Sequence, residues 1–410
     1  MSRIVMKFGG TSVADTKKIE NAADKVLKEV ENGHEVAVVV SAMSGVTNKL
    51  VGYCSEITPI YDAREYDAVV ASGEQVTAGL MAIALQKRGI AARSWLGWQI
   101  PVICNDIHGK ARIEEIKADE IKQRFADNEV AVVAGFQGVT HKNRITTLGR
   151  GGSDTSAVAF SAAIDADRCD IYTDVNGIYT TDPRIVPKAK KLKNVSYEEM
   201  LEMASAGAKV LQSRSVEMAM KNNVLVQVLS SFEDEIGSEL PGTILMKECD
   251  IVEKYVVNGI TYSKDEAKIT ILNVPDKPGV ASEIFSSLAD ATINVDMIIQ
   301  NISPDGSSTD MTFTVPSSDL NRAIDSLKKN SDINDDNLVF TDNITKISVV
   351  GIGMRSHTGV AEIMFKSLAD KSINIQAIST SEIKISVLID QAYTELAVRS
   401  LHTAYNLDQE

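Results

Sequence analysis

Three stretches of this 410-residue chain gather residue types that handle phosphate. The first is "LGRGGSDTS" (148–156). It is not a P-loop, because no G-x-x-x-x-G-K-[ST] run occurs. Its glycines expose backbone N–H groups, and the helix expected over 156–166 adds the positive end of its dipole. Arg150 offers a planar fork for a carboxylate or phosphate. Asp154 cannot bind an anion; it can orient Lys7, or position a metal or backbone amides. A plain helix cap by Ser153 or Asp154 is the simpler role, but it does not require Arg-Gly-Gly. The second stretch, "MKFGGTS" (6–12), sets the Lys7 ammonium directly before a Gly-Gly turn. Bare amides and a compact cation suit developing phosphoryl charge. The third, "TDVNGIYTTDPR" (173–184), follows a strand-like run. There Tyr179 can cover an adenine face and Arg184 can reach phosphates.

Three further stretches join them. "SGEQ" (72–75) opens a helix, where Glu74 either complements the dipole or receives a substrate ammonium. "SAMSGVTN" (41–48) supplies hydroxyls at another strand end, and "SAGAKVL" carries Lys209 among small residues. The five histidines are scattered and suggest neither a catalytic triad nor a metal-ligand set. Cations, glycine amides, hydroxyls and a neighbouring acid suit phosphoryl transfer, in which positioning and charge stabilisation do most of the catalysis.

These stretches need a scaffold. "RIVMKF", "EVAVVVS", "EVAVVAGF", "RCDIYTD" and "NVLVQVLS" are continuous apolar runs, as expected of strands buried on both faces. Helical spacing lies between them, as at Ile19, Ala23, Val26, Leu27 and Val30 and over 79–87. A mainly parallel sheet with helices on both faces follows, with ligands expected outside the carboxyl ends of its strands. The net charge of −14 argues against nucleic acid held by phosphate neutralisation. No run of about 18 apolar residues suggests a membrane span. The opening "MSRIVMKFGG" lacks the apolar core of a signal peptide. Four widely spaced cysteines without C-x-x-C read as inert thiols in a reducing cytosol.

Past Pro241 the chain repeats itself. "PGVASEIFSSLADATINVDMI" (278–298) aligns with "TGVAEIMFKSLADKSINIQAI" (358–378) at a constant offset of 80. Each copy reads strand, turn, helix, strand, with another strand after it: two small α+β units.

With those blocks in view, the chain resembles the aspartokinases of the amino-acid kinase superfamily. "KFGGTSV", "SAMSGVTN", "SGEQ", "GRGGSDTSA", "TDVNGIYTTDPR" and "SAGAKVL" come in family order, and the repeated tail looks like paired ACT domains. The resemblance implies a three-layer α/β/α amino-acid kinase fold over 1–245, then ferredoxin-like ACT domains over 264–341 and 342–410. The 246–263 junction is expected to lend a strand to the ACT region. It also implies ATP-dependent phosphorylation of the L-aspartate side chain to 4-phospho-L-aspartate, toward lysine, threonine and methionine, in the cytoplasm. Lys7 would stabilise the transferring group and Asp154 organise the site. Ser41, Thr47, Glu74, Arg150, Gly151 and Ser153 would hold aspartate. Lys7, Phe8, Gly9, Gly10, Thr173, Asp174, Tyr179, Thr180, Asp182, Arg184 and Lys209 would hold ATP, which carries the Mg²⁺. After "GAKVL" the family pattern is often His-Pro, whereas here it is Gln212-Ser213.

For the tail, the resemblance places lysine, threonine or both against Asp276, Asp296, Gln300, Val360, Asn374, Ile375 and Ser381. It also implies a homodimer or higher oligomer through the ACT domains. A kinase for another acidic amino acid and an inactive ACT-type sensor are the alternatives. Lys7 and Asp154, both present, argue against the sensor; Glu74, Arg150 and the tail argue against the other kinase.

Overall fold

The computed structural model describes all residues except 209, 251–255, 303–307, 330–332, 334, 335 and 410. The chain forms two compact units. One comprises Met1–Ile178, Lys191–Ala204 and Lys209–Glu253; the other comprises Tyr179–Lys190, Ser205–Ala208 and Lys254–Glu410.

The first unit is built on an eight-stranded sheet. Its order is Asn194–Ser196, Thr243–Met246, Val226–Ser230, Arg168–Thr173, Arg3–Phe8, Glu35–Val40, Val130–Ala134, Ala92–Trp95. The last six strands run parallel; Thr243–Met246 runs antiparallel to its neighbour Val226–Ser230. The continuous apolar runs are the central strands, and Ile4, Val38, Val132 and Ile171 are buried. The Thr16–Glu31 helix buries Ile19, Ala22, Ala23 and Val26, and Asp15 caps it by accepting from Lys18 N. The stretch Ala63–Gln86 is long and apolar enough to cross a membrane by length and composition. Its buried face, with Ala78, Met81 and Leu85, packs into the same core as Ile4 and Val38. A second, four-stranded sheet, which the apolar runs do not announce, orders Ile113–Ile116, Val102–Cys104, Gln137–Thr140 and Ile145–Thr147.

The second unit contains two four-stranded antiparallel sheets. One orders Asp296–Ile302, Ser308–Val315, Ala267–Pro275 and Leu338–Thr341, with helices Val280–Asp290 and Leu320–Leu327. The other orders Ala377–Thr380, Lys384–Asp390, Ile344–Val350 and Gly259–Ser263, with helices Val360–Ala369 and Thr394–Ala404. The repeat offset is visible in the backbone. Gly279 and Gly359 both start their helices in the left-handed region, at φ 101° and 90°. The second sheet completes itself with a strand, Gly259–Ser263, that precedes the whole first repeat. Residues 179–190 belong to this unit as well. Ile185 and Val186 sit in its core beside Val349 and Leu401, and Ile260 N donates to Thr180 O at 2.7 Å.

Cys54, Cys104 and Cys169 are buried and Cys249 is exposed; all four are free thiols.

Candidate active site

In the first unit the carboxyl ends of three neighbouring parallel strands and the start of one helix converge. At the end of Arg3–Phe8, the Lys7 side chain is almost fully buried and its ammonium is ion-paired with Asp154 Oδ1, off the hydrogen-bond direction. Gly9 follows, and a Cβ there would meet Lys7 Nζ at 3.4 Å. At the end of Glu35–Val40, Ser41 N donates to Phe8 O at 3.1 Å, and a Cβ on Gly10 would meet Ala42 O at 3.0 Å. At the end of Val130–Ala134, a Cβ on Gly135 would meet both Ser153 Cβ and Val40 O at 3.0 Å. At Gly10 and Gly135 strand ends and loops thus approach more tightly than a side chain ordinarily allows, while at Gly9 a Cβ would make an ordinary contact.

The Gly152–Ala163 helix begins here. Its N-cap is Gly151, at φ 69°, and no side chain caps it. Neither Ser153 nor Asp154 plays the capping part; both lie inside the first turn. Gly152 N donates to Gly149 O, while the N–H groups of Ser153 and Asp154 have no acceptor among the described residues. The Val46–Ile57 helix starts likewise at Gly45, φ 81°, without a side-chain cap. These two uncapped ends present free donors and positive dipole ends, which attract anions. Arg150, exposed just before the first of them, has no partner among the described residues.

Glu74 lies in the first turn of the Ser72–Gln86 helix and is 3% exposed. Its Oε1 accepts from Ala42 N at 3.1 Å, while its Oε2 is buried and has no hydrogen-bond partner among the described residues. Burial pushes its pKa up to about 7, opposed by the Ala42 hydrogen bond. A buried carboxylate with one unanswered oxygen calls for a donor, preferably a cation. The helix start that carries it rests on the 41–45 loop, since a Cβ on Gly73 would meet Ala42 Cβ at 2.8 Å. Thr47 is half-buried in the first turn of the Val46–Ile57 helix.

Of the nucleotide candidates, Thr173 and Asp174 end the Arg168–Thr173 strand, and Thr173 Oγ1 donates to Asp174 Oδ1 at 3.2 Å. Phe8 does not offer its ring to a ligand. The ring is fully buried and stacks on Tyr172 at 4.8 Å, leaving only backbone. Lys209 lies outside the described residues. Tyr179, Thr180, Asp182 and Arg184 belong to the second unit. There Thr180 Oγ1 lies 2.9 Å from His402 Nε2, and Tyr262 OH donates to Asp182 Oδ2 at 3.0 Å. Asp182 also pairs with Arg184, whose side chain is 88% exposed.

The effector candidates divide in the same way. Asp276, Gln300, Asn374 and Ser381 are exposed and Ile375 is half-buried. Val360 is 6% exposed and packs in the core, so only its backbone is accessible chemistry; its carbonyl accepts from Tyr405 OH. Asp296 is engaged already, accepting from Lys346 Nζ at 2.8 Å through Oδ2 and from Met297 N through Oδ1. Among the described residues no cluster of three or more His, Cys, Asp or Glu could hold a metal ion.

The residue types alone did not single out Asp67, Arg214 or the contact of Gln212 with the "GRGGSD" loop. A Cβ on Gly151 would lie 1.9 Å from Gln212 Cγ. Their only sequence signal is faint: Asp67 follows the charged pair Arg64-Glu65 on a short helix, seven residues before Glu74.

Residues 2–230 match the model of the amino acid kinase family, and 259–330 with 347–405 match an ACT domain model. The chain is 51% identical over 411 residues to an aspartokinase of Pseudomonas aeruginosa, covering 100% of this chain and 98% of the relative. It is 43% identical over 413 residues to an aspartokinase of Corynebacterium glutamicum, covering 100% and 97%. Among solved structures it is similar to E. coli aspartokinase III in complex with aspartate and ADP (R-state). The TM-score is 0.79 at 26% identity, with 98% of this chain and 99% of the other covered. The same enzyme with lysine and aspartate (T-state) gives a TM-score of 0.76 at 26% identity, covering 98% and 99%.

Proposed function

Because the chain belongs to the aspartokinase family, we propose that it transfers the γ-phosphoryl group of ATP to the side-chain carboxylate of L-aspartate, giving 4-phospho-L-aspartate. The observation that carries the substrate is Glu74. Its unanswered Oε2 asks for a cation, and aspartate brings an ammonium. Arg150 is then free to take the α-carboxylate as a bidentate pair, with Ser41, Thr47, Gly151 and Ser153 completing the cradle. The side-chain carboxylate is left to attack.

Lys7 and the amides at the start of the Gly152–Ala163 helix stabilise charge on the transferring group. Asp154 fixes the ammonium by its ion pair. That pairing leaves Asp154 poorly placed as a metal ligand, so Mg²⁺ enters on ATP, as is usual for an ion that dehydrates reluctantly. The metal, once bound, neutralises phosphate charge. Transfer is direct: the carboxylate oxygen forms a bond to phosphorus as the bond to the ADP oxygen breaks. The backbone of Phe8, Gly9 and Gly10, with Thr173, Asp174, Tyr179, Thr180, Asp182, Arg184 and Lys209, is proposed for the nucleotide on sequence likeness. E. coli aspartokinase III, solved with aspartate and ADP and with lysine, supports an adenine nucleotide as co-substrate and lysine as an effector.

Regulation is proposed to run through the ACT repeats, 264–341 and 342–410, with lysine, threonine or both as effectors and a homodimer or higher oligomer in the cytoplasm. The test is ATP turnover with aspartate, glutamate and N-acetylglutamate, each with and without lysine plus threonine. Turnover with aspartate alone, depressed by the effectors, is expected. Turnover with a different acid would overturn the substrate, and none with any acid would favour a sensor.

A further inference from the structure

We propose that Asp67 is a positioning residue for the acceptor substrate: it fixes the strap from which Arg150 projects. This rests on the reading of Arg150 as the aspartate-binding arginine. Asp67 is fully buried in the Ala63–Val70 helix. No lysine or arginine pairs with it among the described residues. Its carboxylate is answered by neutral donors and one imidazole instead. Gly109 N donates to Oδ1 at 3.1 Å and to Oδ2 at 3.0 Å. Thr147 Oγ1 donates to Oδ1 at 2.5 Å and Thr146 Oγ1 to Oδ2 at 3.2 Å. His108 Nδ1 lies 2.8 Å from Oδ2.

These donors come from two segments far apart in sequence. Residues 108–109 belong to the loop between Val102–Cys104 and Ile113–Ile116. Residues 146–147 end the Ile145–Thr147 strand that leads straight into Leu148, Gly149 and Arg150. The strap is stitched again just beyond. Leu148 N donates to Phe136 O at 2.9 Å. Arg214 donates to Leu148 O at 2.8 Å and to Ala111 O at 2.7 Å. Gly149, at φ 77°, comes so close to the loop that a Cβ would meet Gly109 O at 3.1 Å. Asp67 and Arg214 thus tie the same two segments to each other: Asp67 joins 108–109 to 146–147, and Arg214 joins Ala111 to Leu148.

A burial this complete is a poor way to gain stability alone, since an apolar residue could fill the place without a desolvated charge. It is a good way to fix direction, because four donors on one rigid carboxylate leave the strap little freedom. Only Leu148 and Gly149 separate the clamp from Arg150. A guanidinium that binds a carboxylate bidentately tolerates little misplacement.

The experiment is steady-state kinetics of Asp67→Asn and of Thr147→Val in the full chain, varying aspartate and ATP separately, with thermal melts alongside. Asn keeps the size but swaps one acceptor for a donor; Val removes one donor and leaves the carboxylate. KM for aspartate is expected to rise about tenfold or more in Asp67→Asn and less in Thr147→Val. KM for ATP should stay within about twofold of wild type in both, on the same reasoning. If Asp67→Asn does not fold, Thr147→Val carries the test. Unchanged aspartate KM overturns the proposal, as does a parallel rise in both KM values that tracks the loss of Tm. The wild type separates this from the reading beneath it. A wild type that turns over a different acid overturns the substrate assignment, and the variants are then scored on that acid's KM.

Discussion

Lys7 and Glu74 show how one side chain acquires its chemistry from where it is buried. Lys7 lies in a nearly closed setting with Asp154 beside it. Removing the ammonium deletes a cation that acts on the transferring group, and it strands a buried carboxylate. Lys7→Ala should therefore lower kcat by about 10³-fold or more and also lower Tm; near-normal turnover would remove Lys7 from the mechanism. Glu74 is the opposite case, a carboxyl that burial lifts to about 7. A substrate ammonium binds the ionised form only. The aspartate KM should thus rise as pH falls below about 7 and level off above it. The same shift has a stability sign. The folded chain without substrate holds this proton where the unfolded chain has lost it, so stability falls as pH rises from the ordinary carboxyl range to about 7. Aspartate should consequently raise Tm more at pH 8 than at pH 5.5. Glu74→Gln should raise the aspartate KM by roughly 10–100-fold and flatten its pH dependence. A KM independent of pH in the wild type would argue that Glu74 does not meet the substrate.

At the scale of single elements, the Gly152–Ala163 helix shows what the residues do and do not reveal. The glycine run and the arginine before it disclose an uncapped helix start that can bind an anion, because glycine takes φ 69° without the strain a Cβ brings. They suggest side-chain caps that do not form, because Ser153 and Asp154 fall two and three places past the Gly151 cap position. The neighbour that crowds Gly151 is Gln212, 61 positions away, and no local pattern could name it. Gly151→Ala should therefore weaken aspartate binding and destabilise the chain by about 1–2 kcal/mol from backbone strain, with the clash in addition. Gln212→Ala in the same chain should recover the clash and not the strain. Full recovery of aspartate KM and Tm would mean the left-handed backbone there is costless. The long parallel strands were legible because both faces are apolar. The four-stranded Ile113–Ile116 sheet was not, since "VIC", "IEEI", "QGVT" and "ITT" are too short for periodicity to speak. Asp67 was hidden for a related reason: its meaning lies in donors about 40 and 80 residues away.

For the molecule as a whole, the repeat in the tail was readable from identities alone, yet its two copies are not closed in the same way. The first sheet takes all four strands from 267–341; the second borrows Gly259–Ser263 from ahead of it. The turn at Ser381, whose N–H donates to Lys384 O at 2.7 Å, joins two strands of that second sheet at an exposed position. Ser381→Phe should weaken inhibition by lysine or threonine with little change in the uninhibited rate, and unchanged inhibition curves would count against this edge as an effector site. The borrowed strand also carries a timetable. Ser263 pairs with Lys346, so a ribosome adding about 5–20 residues per second emits the strand roughly 4–16 s before its partner exists. The first repeat, self-contained between them, can close during that interval, while the second has to wait for translation to pass its own beginning again.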